Sequence, residues 1–543
     1  MARILVLDTL SPEGLALLDA AAPKITYEVR TGLKGADLKA ALAEYDGAIC
    51  RSGVKITAES LEGNRRLKAI VRAGVGTDNI DKTAATRQGI VVMNTPTGNT
   101  LSTAEHAFAL MLGLSRNLAA AHRSLMDGKW DRNSYMGAQL ADKTLGIVGL
   151  GRIGQEVAKR AQAFQMRVIG FDPFFSAEQA TKMGIERVDQ VHEMLPRLDY
   201  LTVHTPLTPE TKHLIGMKEL ELLKPGVRLI NCARGGIYDE AALLAGLQSG
   251  KIAGVALDVF ETEPCTDSPL FQLKQVLCTP HLGASTEEAQ TQVAVEAVDL
   301  LVNFLTTGEI RHAVNMVSID PKTLDALRGY LNVAYRLGRF LTQWNDAGTS
   351  EVHLQYRGEV SKKDTRLLTA AFCAGLLEGA LADEVNIVNA EVLLRGRGIE
   401  LREELRTEPG AFSSSITAEV RCQGRHYVAG GTLFGTNMPR LIRLDQHRLE
   451  TYLDGNLLVF VHQDVPGIIG RVGTIFGQHK VNIAQMSVGR AGDAPGGEAV
   501  GVLNLDSIPS PEAIAEVARQ PDVRLVKVIS MPAAGESPPW LSL

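Results

Sequence analysis

The sequence predicts an α/β protein in which two Rossmann-like doubly wound domains precede an α+β spacer domain and a ferredoxin-like βαββαβ domain. Three observations support this fold class. Short apolar runs bounded by turn residues alternate with helical patterns over about the first 310 residues, as in parallel sheets covered by helices. A glycine-rich turn, GLGRIG, follows one of these runs at residues 149–154. Near the end of the chain, about 75 residues show strand and helix patterns in the order βαββαβ.

The composition excludes several classes of protein before any motif is considered. The chain has 543 residues, of which 45% are hydrophobic and 22% charged, which suits several globular domains and excludes wholesale disorder. Its 56 Lys and Arg residues against 62 Asp and Glu residues give a net charge of −6, too mild for a nucleic-acid or membrane-surface footprint. We therefore expect a small-molecule substrate, with neither nucleic acid nor membrane as a partner.

The cysteines and the first residues favour a soluble protein in a reducing compartment. The cysteines are Cys50, Cys232, Cys265, Cys278, Cys373 and Cys422. They form no CxxC pair and have no partnering histidine spacing, so neither a metal site nor a disulfide framework is predicted. The opening MARILVLDTL contains Asp8 and no cleavage site, which indicates a strand and not a signal peptide. No apolar run reaches the ~18–20 residues of a membrane helix. We expect a cytoplasmic protein.

The first 310 or so residues read as one α/β domain inserted into another. Strand patterns occur at ILVLD, GAICRS, LKAIVRAG and GIVVMN, with an Ala/Leu-rich helix after the first. From Thr103 to about Asp127 a helical pattern is apolar on most faces, which predicts one long buried helix at a hinge or interface. Further strand patterns follow at TLGIV, MRVIGFD, YLTVHT, RLINCA, GVALDVF and VLCTPHLG. We assign residues 1–98 and 284–312 to the outer domain and residues 99–283 to the inserted domain.

The remaining residues change in character after Glu309. Residues 317–454 combine a helical pattern, LLTAAFCAGLLEGAL, with strand patterns EVHLQYRGEV, SITAEVRC and HYVAGGTLFG, which predicts an α+β spacer domain. Residues 455–531 carry LLVFVHQDVPG, IIGRVGTIFGQHK, VNIAQMSVGR, EAVGVLNLDS, PEAIAEVARQ and VRLVKVIS, the predicted βαββαβ unit. Residues 532–543 are rich in proline and are expected to form a loose tail.

The glycine-rich turn has the composition of a dinucleotide-binding loop. Gly149 permits the tight turn, Gly151 lets the backbone approach a pyrophosphate, and Gly154 allows close packing of helix on strand. The next strand pattern ends at Asp172, 18 residues after Gly154 (172 − 154), where a ribose-binding acid is expected. A carboxylate there binds ribose hydroxyls and repels a 2′-phosphate. This predicts NAD as the cofactor and not NADP, the alternatives being a plain glycine turn and a solvated acid.

Three later segments each end a predicted strand with a polar residue: Arg234 in INCARGG, Glu263 in DVFETEP and His281 in CTPHLGAST. Carboxyl ends of parallel strands line the ligand crevice of a doubly wound sheet, so these residues can converge. Removing a hydride from a secondary alcohol needs a base for the hydroxyl proton, which a histidine supplies near neutral pH. A carboxylate orients the imidazole, and a guanidinium grips a substrate carboxylate. Each residue alone also fits a structural role, but as a set they predict a dehydrogenase.

The motifs GLGRIG, NCARGG, DVFETEP and PHLGAST, in this order and spacing, resemble those of the D-isomer-specific 2-hydroxyacid dehydrogenase family. The family's Arg/Glu/His triad maps onto Arg234, Glu263 and His281. RAGVGTDN, NTPTGNT and a C-terminal unit similar to the ACT regulatory domain narrow the resemblance to members with a spacer domain. Such members imply NAD-dependent oxidation of 3-phospho-D-glycerate to 3-phosphohydroxypyruvate, the first step of L-serine biosynthesis.

The resemblance also implies a set of cofactor-lining residues. These are Gly149, Gly151, Arg152, Ile153, Gly154, Asp172, Thr205, Cys232, Ala233, Asp258, His281, Leu282, Gly283 and Ala284. By this resemblance Asp258 holds the nicotinamide carboxamide end. Cys232 has no base beside it in the sequence, so we expect it to line the site and not to act as a nucleophile.

The same resemblance implies how the substrate is held. Backbone N–H groups of Gly74 and Val75 would meet its carboxylate, and Arg51, Arg72 and Arg132 would bind its phosphate, with Arg132 serving a neighbouring subunit. The alternative for these arginines is solvated surface charge. No metal is expected at the site.

The final unit resembles ACT domains that bind a small amino acid between paired domains. His462 closes its first strand, Asp464 would take the ligand ammonium, and Asn482 would bond the ligand carboxylate or side chain. L-Serine, the end product, is the expected effector. The alternative is an ACT unit that only pairs subunits. We expect a homo-oligomer, a dimer or a tetramer, because the long helix and the C-terminal units could each pair subunits.

Two rival functions remain open. Another D-2-hydroxyacid dehydrogenase, acting on glycerate, lactate or 2-hydroxyglutarate, would share the triad, since the triad reads only the hydroxyacid unit. A NAD-sensing transcriptional corepressor shares the fold and triad, but such proteins have no ACT unit, and we find no peptide-recognition or DNA-binding signature in this sequence.

Overall fold

A computed structural model describes residues 1–316, 321–345, 349–378, 385–422, 424–492 and 496–538. The chain divides into two compact units. Unit one comprises Met1–Thr9, Leu15–Asn94 and Ala297–Leu543, and unit two comprises Leu10–Gly14 and Thr95–Glu296. The predicted start of the spacer at residue 317, the end of the predicted LLTAAFCAGLLEGAL helix at 379–381 and the tail residues 539–543 lie outside the described residues.

The first sheet of unit one is parallel, with strand order β2-β1-β3-β4-β5. Its strands are β1 (Ala2–Val6), β2 (Ile25–Val29), β3 (Gly47–Cys50), β4 (Ala69–Arg72) and β5 (Val91–Asn94), connected by helices α1 (Pro12–Ala20), α2 (Gly35–Leu42), α3 (Ala58–Leu61) and α4 (Lys82–Arg87). Four of the strands coincide with predicted strand patterns. The strand β2 was not predicted, because it lies at the sheet edge and most of its side chains are exposed or half-buried, which leaves no apolar run.

The sheet of unit two is also parallel, with order β12-β11-β10-β9-β6-β7-β8. Its elements are α5 (Thr100–Ser115), α6 (Leu118–Met126), β6 (Thr144–Val148), α7 (Arg152–Ala163), β7 (Arg167–Phe171), α8 (Ala177–Lys182), β8 (Glu186–Arg187), α9 (Val191–Met194), β9 (Tyr200–Val203), α10 (Met217–Leu222), β10 (Val227–Asn231), α11 (Glu240–Gln248), β11 (Ile252–Leu257) and β12 (Val276–Cys278). Helix α12 (Glu287–Thr307) follows. The strand order reverses between β6 and β9, so the glycine-rich turn after β6 stands at the topological switch point where such sheets bind ligands. This confirms the Rossmann-like prediction.

The single buried helix predicted from Thr103 to Asp127 is wrong. The structure has two helices, because Asn117 adopts the left-handed conformation, φ 50°, and ends the first helical segment. Helix α5 is largely buried, whereas α6 buries none of its residues. The apolar surface of α6 and the loop after it is exposed: Leu118 by 65%, Leu125 by 54%, Met126 by 74%, Trp130 by 82% and Met136 by 84%. We call these five residues the α6 patch.

The third sheet has ten strands and contains both the predicted spacer and the predicted βαββαβ unit. The elements are α13 (Pro321–Trp344), β13 (Glu351–Gly358), α14 (Thr365–Leu377), α15 (Ala390–Gly396), β14 (Glu400–Arg406), β15 (Ser414–Cys422), β16 (Arg425–Phe434), β17 (Met438–Leu444), β18 (His447–Tyr452), β19 (Asn456–Gln463), α16 (Ile468–Gln478), β20 (Ile483–Arg490), β21 (Glu498–Leu505), α17 (Pro511–Ala518) and β22 (Val523–Ser530). The last four strands lie in the order β20-β21-β19-β22, all antiparallel, which is the predicted ferredoxin-like arrangement.

One sheet runs across the boundary between the spacer and the βαββαβ unit. Strand β18 pairs with β20, with Arg448 opposite Arg490. Beside this pair, the backbone N–H of Tyr452 donates to the Gln485 side chain at 3.2 Å and that of Glu450 donates to Ser487 Oγ at 3.4 Å. The two predicted domains therefore share a sheet and are not connected by a linker alone.

The C-terminal segment is fixed by a buried arginine of α13. Arg336 is 1% exposed, and its Nε donates to Asn332 Oδ1 at 2.7 Å. Its two terminal nitrogens donate to the carbonyl oxygens of Leu453, Pro532, Ala533 and Glu536 at 2.7–2.9 Å. These bonds use all five N–H donors of the guanidinium. The tail up to Pro538 is thus an ordered part of the fold and not the loose tail expected from its prolines.

Within the part of the chain that the structure describes, no helix is long and apolar enough to cross a membrane. The same residues contain no group of three or more His, Cys, Asp or Glu side chains that could hold a metal ion. Cys50, Cys232, Cys265, Cys278 and Cys373 are free thiols.

Candidate active site

The glycine-rich turn after β6 is built by close approach of backbone segments. Gly149 has φ 92°, and a Cβ on it would lie 2.5 Å from the His204 carbonyl oxygen. A Cβ on Gly154 would lie 2.0 Å from the Gly149 carbonyl oxygen, whereas the Cβ position of Gly151 is open within 4 Å. Gly151 is also the residue that precedes α7, and no side chain caps this helix N-terminus, where N–H groups favour an anion. The turn therefore offers space and donors for a pyrophosphate where the sequence predicts them.

Asp172 orders the glycine-rich turn from the end of β7. Its Oδ2 accepts the backbone N–H of Leu150 at 2.8 Å, and its Oδ1 accepts the N–H of Phe174 at 2.8 Å. Each carboxylate oxygen keeps a further lone pair for a ribose hydroxyl. Next to the turn, the Arg152 side chain donates to the Pro96 carbonyl at 3.4 Å, and Ile153 packs against the core of unit two.

Two polar atoms after β9 are buried without a protein partner. They are Thr205 Oγ1 and His204 Nδ1. Burial lowers the pKa of His204 to about 4, so its imidazole is neutral. Buried polar atoms without partners are uncommon in folded proteins and indicate a missing hydrogen-bonding group. Together with the open space at Gly151, they fit the residues of unit two to a dinucleotide.

Arg234 lies on a tight turn after β10 that Asn231 organises. The Asn231 side chain accepts the N–H of Ala233 at 2.9 Å and donates to the Arg234 carbonyl at 2.8 Å. A Cβ on Gly235 would lie 1.8 Å from the Phe260 carbonyl oxygen, so this turn packs directly against the loop that carries Glu263. Before the turn, burial and the nearby Asp258 raise the pKa of the Cys232 thiol well above its usual value. A thiol that stays protonated is a poor nucleophile.

The structure brings Glu263 and His281 into direct contact. His281 Nδ1 lies 2.7 Å from Glu263 Oε2, while Glu263 Oε1 accepts the N–H of Phe260 at 3.1 Å. Burial alone would raise the pKa of Glu263, but hydrogen bonding and charge from His281, with Arg234 nearby, lower it below its usual value. An ionised Glu263 accepts the proton on Nδ1, which leaves Nε2 of His281 as the free ring nitrogen. The predicted triad therefore gathers in unit two.

Asp258 is completely buried and bonds to the loop around His281. Its Oδ1 accepts Thr279 Oγ1 and the Leu282 N–H, both at 2.7 Å, and its Oδ2 accepts the Gly283 N–H at 2.8 Å. Burial would raise the pKa of Asp258, yet hydrogen bonds from His106, Thr279 and Leu282 bring it below its usual value. The role of Asp258 at the nicotinamide stays a prediction, because these contacts already occupy most of its acceptor positions.

Ala284 follows this loop, and α12 holds it. The Gln290 side chain donates to the Ala284 carbonyl at 2.6 Å. The segment from His281 to Ala284, predicted to line the cofactor, is thus fixed at both ends by side-chain bonds.

The substrate residues predicted in the first 98 residues belong to unit one. Arg51 and Arg72 stand at the carboxyl ends of the neighbouring strands β3 and β4, where Cys50 pairs with Arg72. The Arg51 side chain donates to the Thr9 carbonyl at 3.3 Å. The Arg72 guanidinium covers Gly74, φ 144°, since a Cβ there would lie 1.7 Å from Arg72 Nη1. The structure therefore places Arg51 and Arg72 side by side at the carboxyl ends of two neighbouring strands.

Two other predicted substrate residues are placed as follows. The carbonyl of Val75 accepts Asn94 Nδ2 at 2.6 Å, which leaves the N–H of Val75 unused by that bond. Arg132 lies in unit two, exposed, between Trp130 and Met136 of the α6 patch. Arg132 is therefore a surface residue of unit two.

The predicted regulatory residues already have partners within the βαββαβ unit. Asp464 pairs with Arg490, Oδ2 to Nε, at 2.7 Å, and Asn482 donates to Asp506 at 2.6 Å. His462 is 1% exposed and stacks on Phe460, with its Nδ1 2.8 Å from the Gln463 carbonyl and its Nε2 buried without a partner. An amino acid at this site would compete with Arg490 for Asp464.

Sequence reasoning missed the residues of α5 that contact the active-site loop. Ser102 Oγ and Thr103 Oγ1 donate to the Gly283 carbonyl at 2.9 and 3.1 Å, and His106 Nε2 lies 3.2 Å from Asp258 Oδ1. The one available signal was a polar His106 within an apolar helical pattern. Its partners are more than 150 residues away in the chain, so the pattern could not reveal them.

Three family models match the chain. The model described as "D-isomer specific 2-hydroxyacid dehydrogenase, NAD binding domain" matches residues 108–283. The "D-3-phosphoglycerate dehydrogenase intervening domain" matches residues 326–445, and the "ACT domain" matches residues 456–522.

Proteins of similar sequence cover nearly the whole chain. The D-3-phosphoglycerate dehydrogenase of Archaeoglobus fulgidus is 40% identical over 518 residues, which is 95% of this chain and 98% of that protein. The protein of the same name from Methanocaldococcus jannaschii is 40% identical over 98% of this chain and 100% of its own length. Among solved structures, a glyoxylate reductase from Paecilomyes thermophila superposes with a TM-score of 0.53 at 29% identity, covering 58% of this chain and 98% of that chain.

Proposed function

Because the chain belongs to the D-3-phosphoglycerate dehydrogenase family, we propose that it oxidises 3-phospho-D-glycerate to 3-phosphohydroxypyruvate with NAD, the first step of L-serine biosynthesis. The observation that carries the proposal is the 2.7 Å contact between His281 Nδ1 and Glu263 Oε2. This contact leaves one imidazole nitrogen free to act as a base in the same unit as a dinucleotide-binding turn. The spacer and ACT units distinguish this chain from shorter 2-hydroxyacid dehydrogenases.

The protein's own groups account for binding and proton transfer. Bound NAD supplies the hydride acceptor, held by the turn from Gly149 to Gly154 and by Asp172. His281 Nε2 takes the proton of the substrate hydroxyl, and Glu263 stabilises the imidazolium that forms. Arg234 binds the substrate carboxylate and polarises the new carbonyl.

The phosphate group of the substrate needs cations, and we assign it to the arginines of unit one. Arg51 and Arg72 follow neighbouring strands, which supports a shared phosphate site, and the N–H groups of Gly74 and Val75 are assigned to the carboxylate. Arg132 is proposed to serve the site of a neighbouring subunit, since it is exposed in the loop between Trp130 and Met136 of the α6 patch.

The rate of NADH formation with different acids tests the substrate. At alkaline pH the protein should reduce NAD with 3-phospho-D-glycerate far faster than with D-glycerate, D-lactate or D-2-hydroxyglutarate. A preference for an unphosphorylated acid would replace this proposal by another D-2-hydroxyacid dehydrogenase. NADP should be the poorer cofactor, because Asp172 repels its 2′-phosphate.

We also propose that the chain forms a homo-oligomer through the α6 patch. A surface with this many large exposed apolar side chains is typical of an interface. Light scattering after size-exclusion chromatography should give at least a dimer, and Trp130→Ser combined with Leu125→Ser should shift it toward the monomer. A wild-type monomer at micromolar concentration would contradict the proposal.

L-Serine is proposed as an effector of the ACT unit. A cytoplasmic location is proposed as well. The ammonium of L-serine would replace Arg490 beside Asp464. Millimolar L-serine should raise the melting temperature of the full chain and lower its activity, and Asp464→Asn should abolish both effects. An unchanged melting temperature would favour an ACT unit that only pairs subunits.

A further inference from the structure

The backbone around His281 is held on both sides by one buried carboxylate. Asp258 bonds Thr279 Oγ1 before the histidine and the N–H groups of Leu282 and Gly283 after it. The N–H of His281 itself donates to the Asp258 carbonyl at 2.8 Å. His281 also has φ 57°, a left-handed conformation that a non-glycine residue keeps only when its surroundings impose it. The position of the catalytic base therefore depends on Asp258.

His106 of α5 completes the set of donors around Asp258. Its Nε2 lies 3.2 Å from Asp258 Oδ1 and 3.0 Å from Thr279 Oγ1. A carboxylate accepts hydrogen bonds and does not donate them, and the Thr279 hydroxyl already donates to Asp258. The proton of the His106 ring is therefore on Nε2, shared between the carboxylate and the hydroxyl oxygen.

The neighbouring residues of α5 make the same loop contact. Ser102 and Thr103 hold the Gly283 carbonyl, so one end of α5 supports the loop from Thr279 to Gly283 through three side chains. Nothing in the direct chemistry requires His106, because the triad is complete without it.

We propose that His106 is a positioning residue for proton transfer: through Asp258 and Thr279 it fixes the loop that presents His281. This inference rests on the proposed dehydrogenase function. Without His106, the fully buried carboxylate of Asp258 loses its donor from α5, and Thr279 loses the donor that orients its hydroxyl. The loop then samples other positions, and His281 no longer meets the substrate hydroxyl reliably.

Steady-state kinetics of the full-length protein test the proposal. His106→Leu keeps a similar volume but removes the donor, and it should lower kcat on the order of 10- to 100-fold, the cost of misplacing a catalytic group. The KM for 3-phospho-D-glycerate should change less than kcat, because the proposal places His106 behind Asp258 and Thr279 and not among the substrate-binding residues. His106→Gln places an amide N–H near the former Nε2 position and should restore most of kcat. Glu105→Gln is the matched control, since Glu105 is the preceding residue of α5 and pairs with Arg160 instead.

Each result decides the question. Wild-type-like kcat in His106→Leu, or a loss of kcat that His106→Gln fails to restore, would overturn the proposal. A fall in melting temperature with unchanged kcat would show that His106 has a structural role alone. If His106→Leu does not fold, Thr279→Val serves in its place, because it removes the hydroxyl that His106 contacts. Thr279→Val should then lower kcat, and His106→Gln should keep it. Inactivity of the wild-type protein with 3-phospho-D-glycerate would instead count against the proposed function.

Discussion

His281 is the residue that we propose as the general base. Glu263 Oε2 lies 2.7 Å from its Nδ1, so Nε2 is the nitrogen proposed to accept the proton. His281→Ala should lower kcat by roughly 10³-fold or more, consistent with loss of a general base, while the Kd for NAD stays within a small factor. Stopped-flow turnover measures the first quantity, and quenching of the protein's tryptophan fluorescence during a titration with NAD measures the second. Retained turnover would show that another group accepts the proton.

The buried His204 should make the free energy of unfolding depend on pH, and a substitution can measure its contribution. Its pKa is about 4 in the folded state because of burial, against an ordinary 6.5. Between these values the unfolded chain binds a proton at His204 and the folded chain does not, so stability falls as pH drops from about 6.5 to about 4.

Removing this group should therefore flatten the pH profile of stability. His204→Gln keeps an amide near Thr202 but has no titrating ring. The difference in melting temperature between pH 7 and pH 5 should be smaller in the variant than in the wild type. Parallel profiles would mean that the pKa of His204 is the same in the folded and the unfolded chain.

Single residues could be predicted where a local motif marks them. They could not be predicted where their role comes from contacts with residues far away in the chain. The triad and Asp172 could be singled out as candidates because strand ends and glycine spacing mark them. His106, Ser102 and Thr103 were missed because their partners lie more than 150 residues away in the chain, a distance that no local pattern spans.

At the scale of elements, the turn after β10 and the loop after β11 form one packed unit. Gly235 is the contact point, with space for hydrogen and none for a methyl group beside the Phe260 carbonyl. Gly235→Ala should push the turn of Arg234 away from the loop of Glu263 and lower kcat/KM by about 10²-fold.

A glycine elsewhere in unit two provides the control for that substitution. A Cβ on Gly216 would meet its nearest atoms at 3.5 Å, an ordinary contact. Gly216→Ala should therefore leave kcat/KM near the wild-type value. Equal effects of the two substitutions on kcat/KM would show that the close contact of Gly235 with the Phe260 carbonyl is not the cause of the loss.

Elements with an apolar run were predicted, and those without one were not. The buried strands of both parallel sheets coincide with such runs, whereas β2 at an exposed edge has none. The predicted long helix failed at Asn117, because helical periodicity continues through a residue whose backbone turns the chain. The exposure of α6 could not be predicted either, because an apolar sequence pattern does not show whether another element covers those side chains.

At the scale of the whole molecule, Arg336 connects α13, the spacer and the tail. Arg336→Met should leave three tail carbonyls and the Leu453 carbonyl without this donor, and it should lower the free energy of unfolding of the spacer and ACT region by roughly 3 kcal/mol. Hydrogen exchange of β22 and of the tail, read by mass spectrometry, measures the local loss.

Truncation of the tail should act through the same bonds. A chain ending at Met531 lacks three of the acceptors of Arg336, whereas a chain ending at Pro538 keeps them all. The first truncation should destabilise the region, the second should not, and Arg336→Met should add little to the first. Full additivity would show that the two changes act on separate parts of the fold.

The shared sheet defines what can be exchanged between relatives in a chimaera. A graft that replaces residues 455–531 alone would put a foreign strand beside β18 in place of β20 and would separate the strands of one sheet, although Arg336 and its tail acceptors stay native. The transplantable module is therefore the block from α13 to Pro538. Recombination that respects this block would move the shared sheet from one protein to another intact, and a graft made at the strand boundary near residue 454 would not.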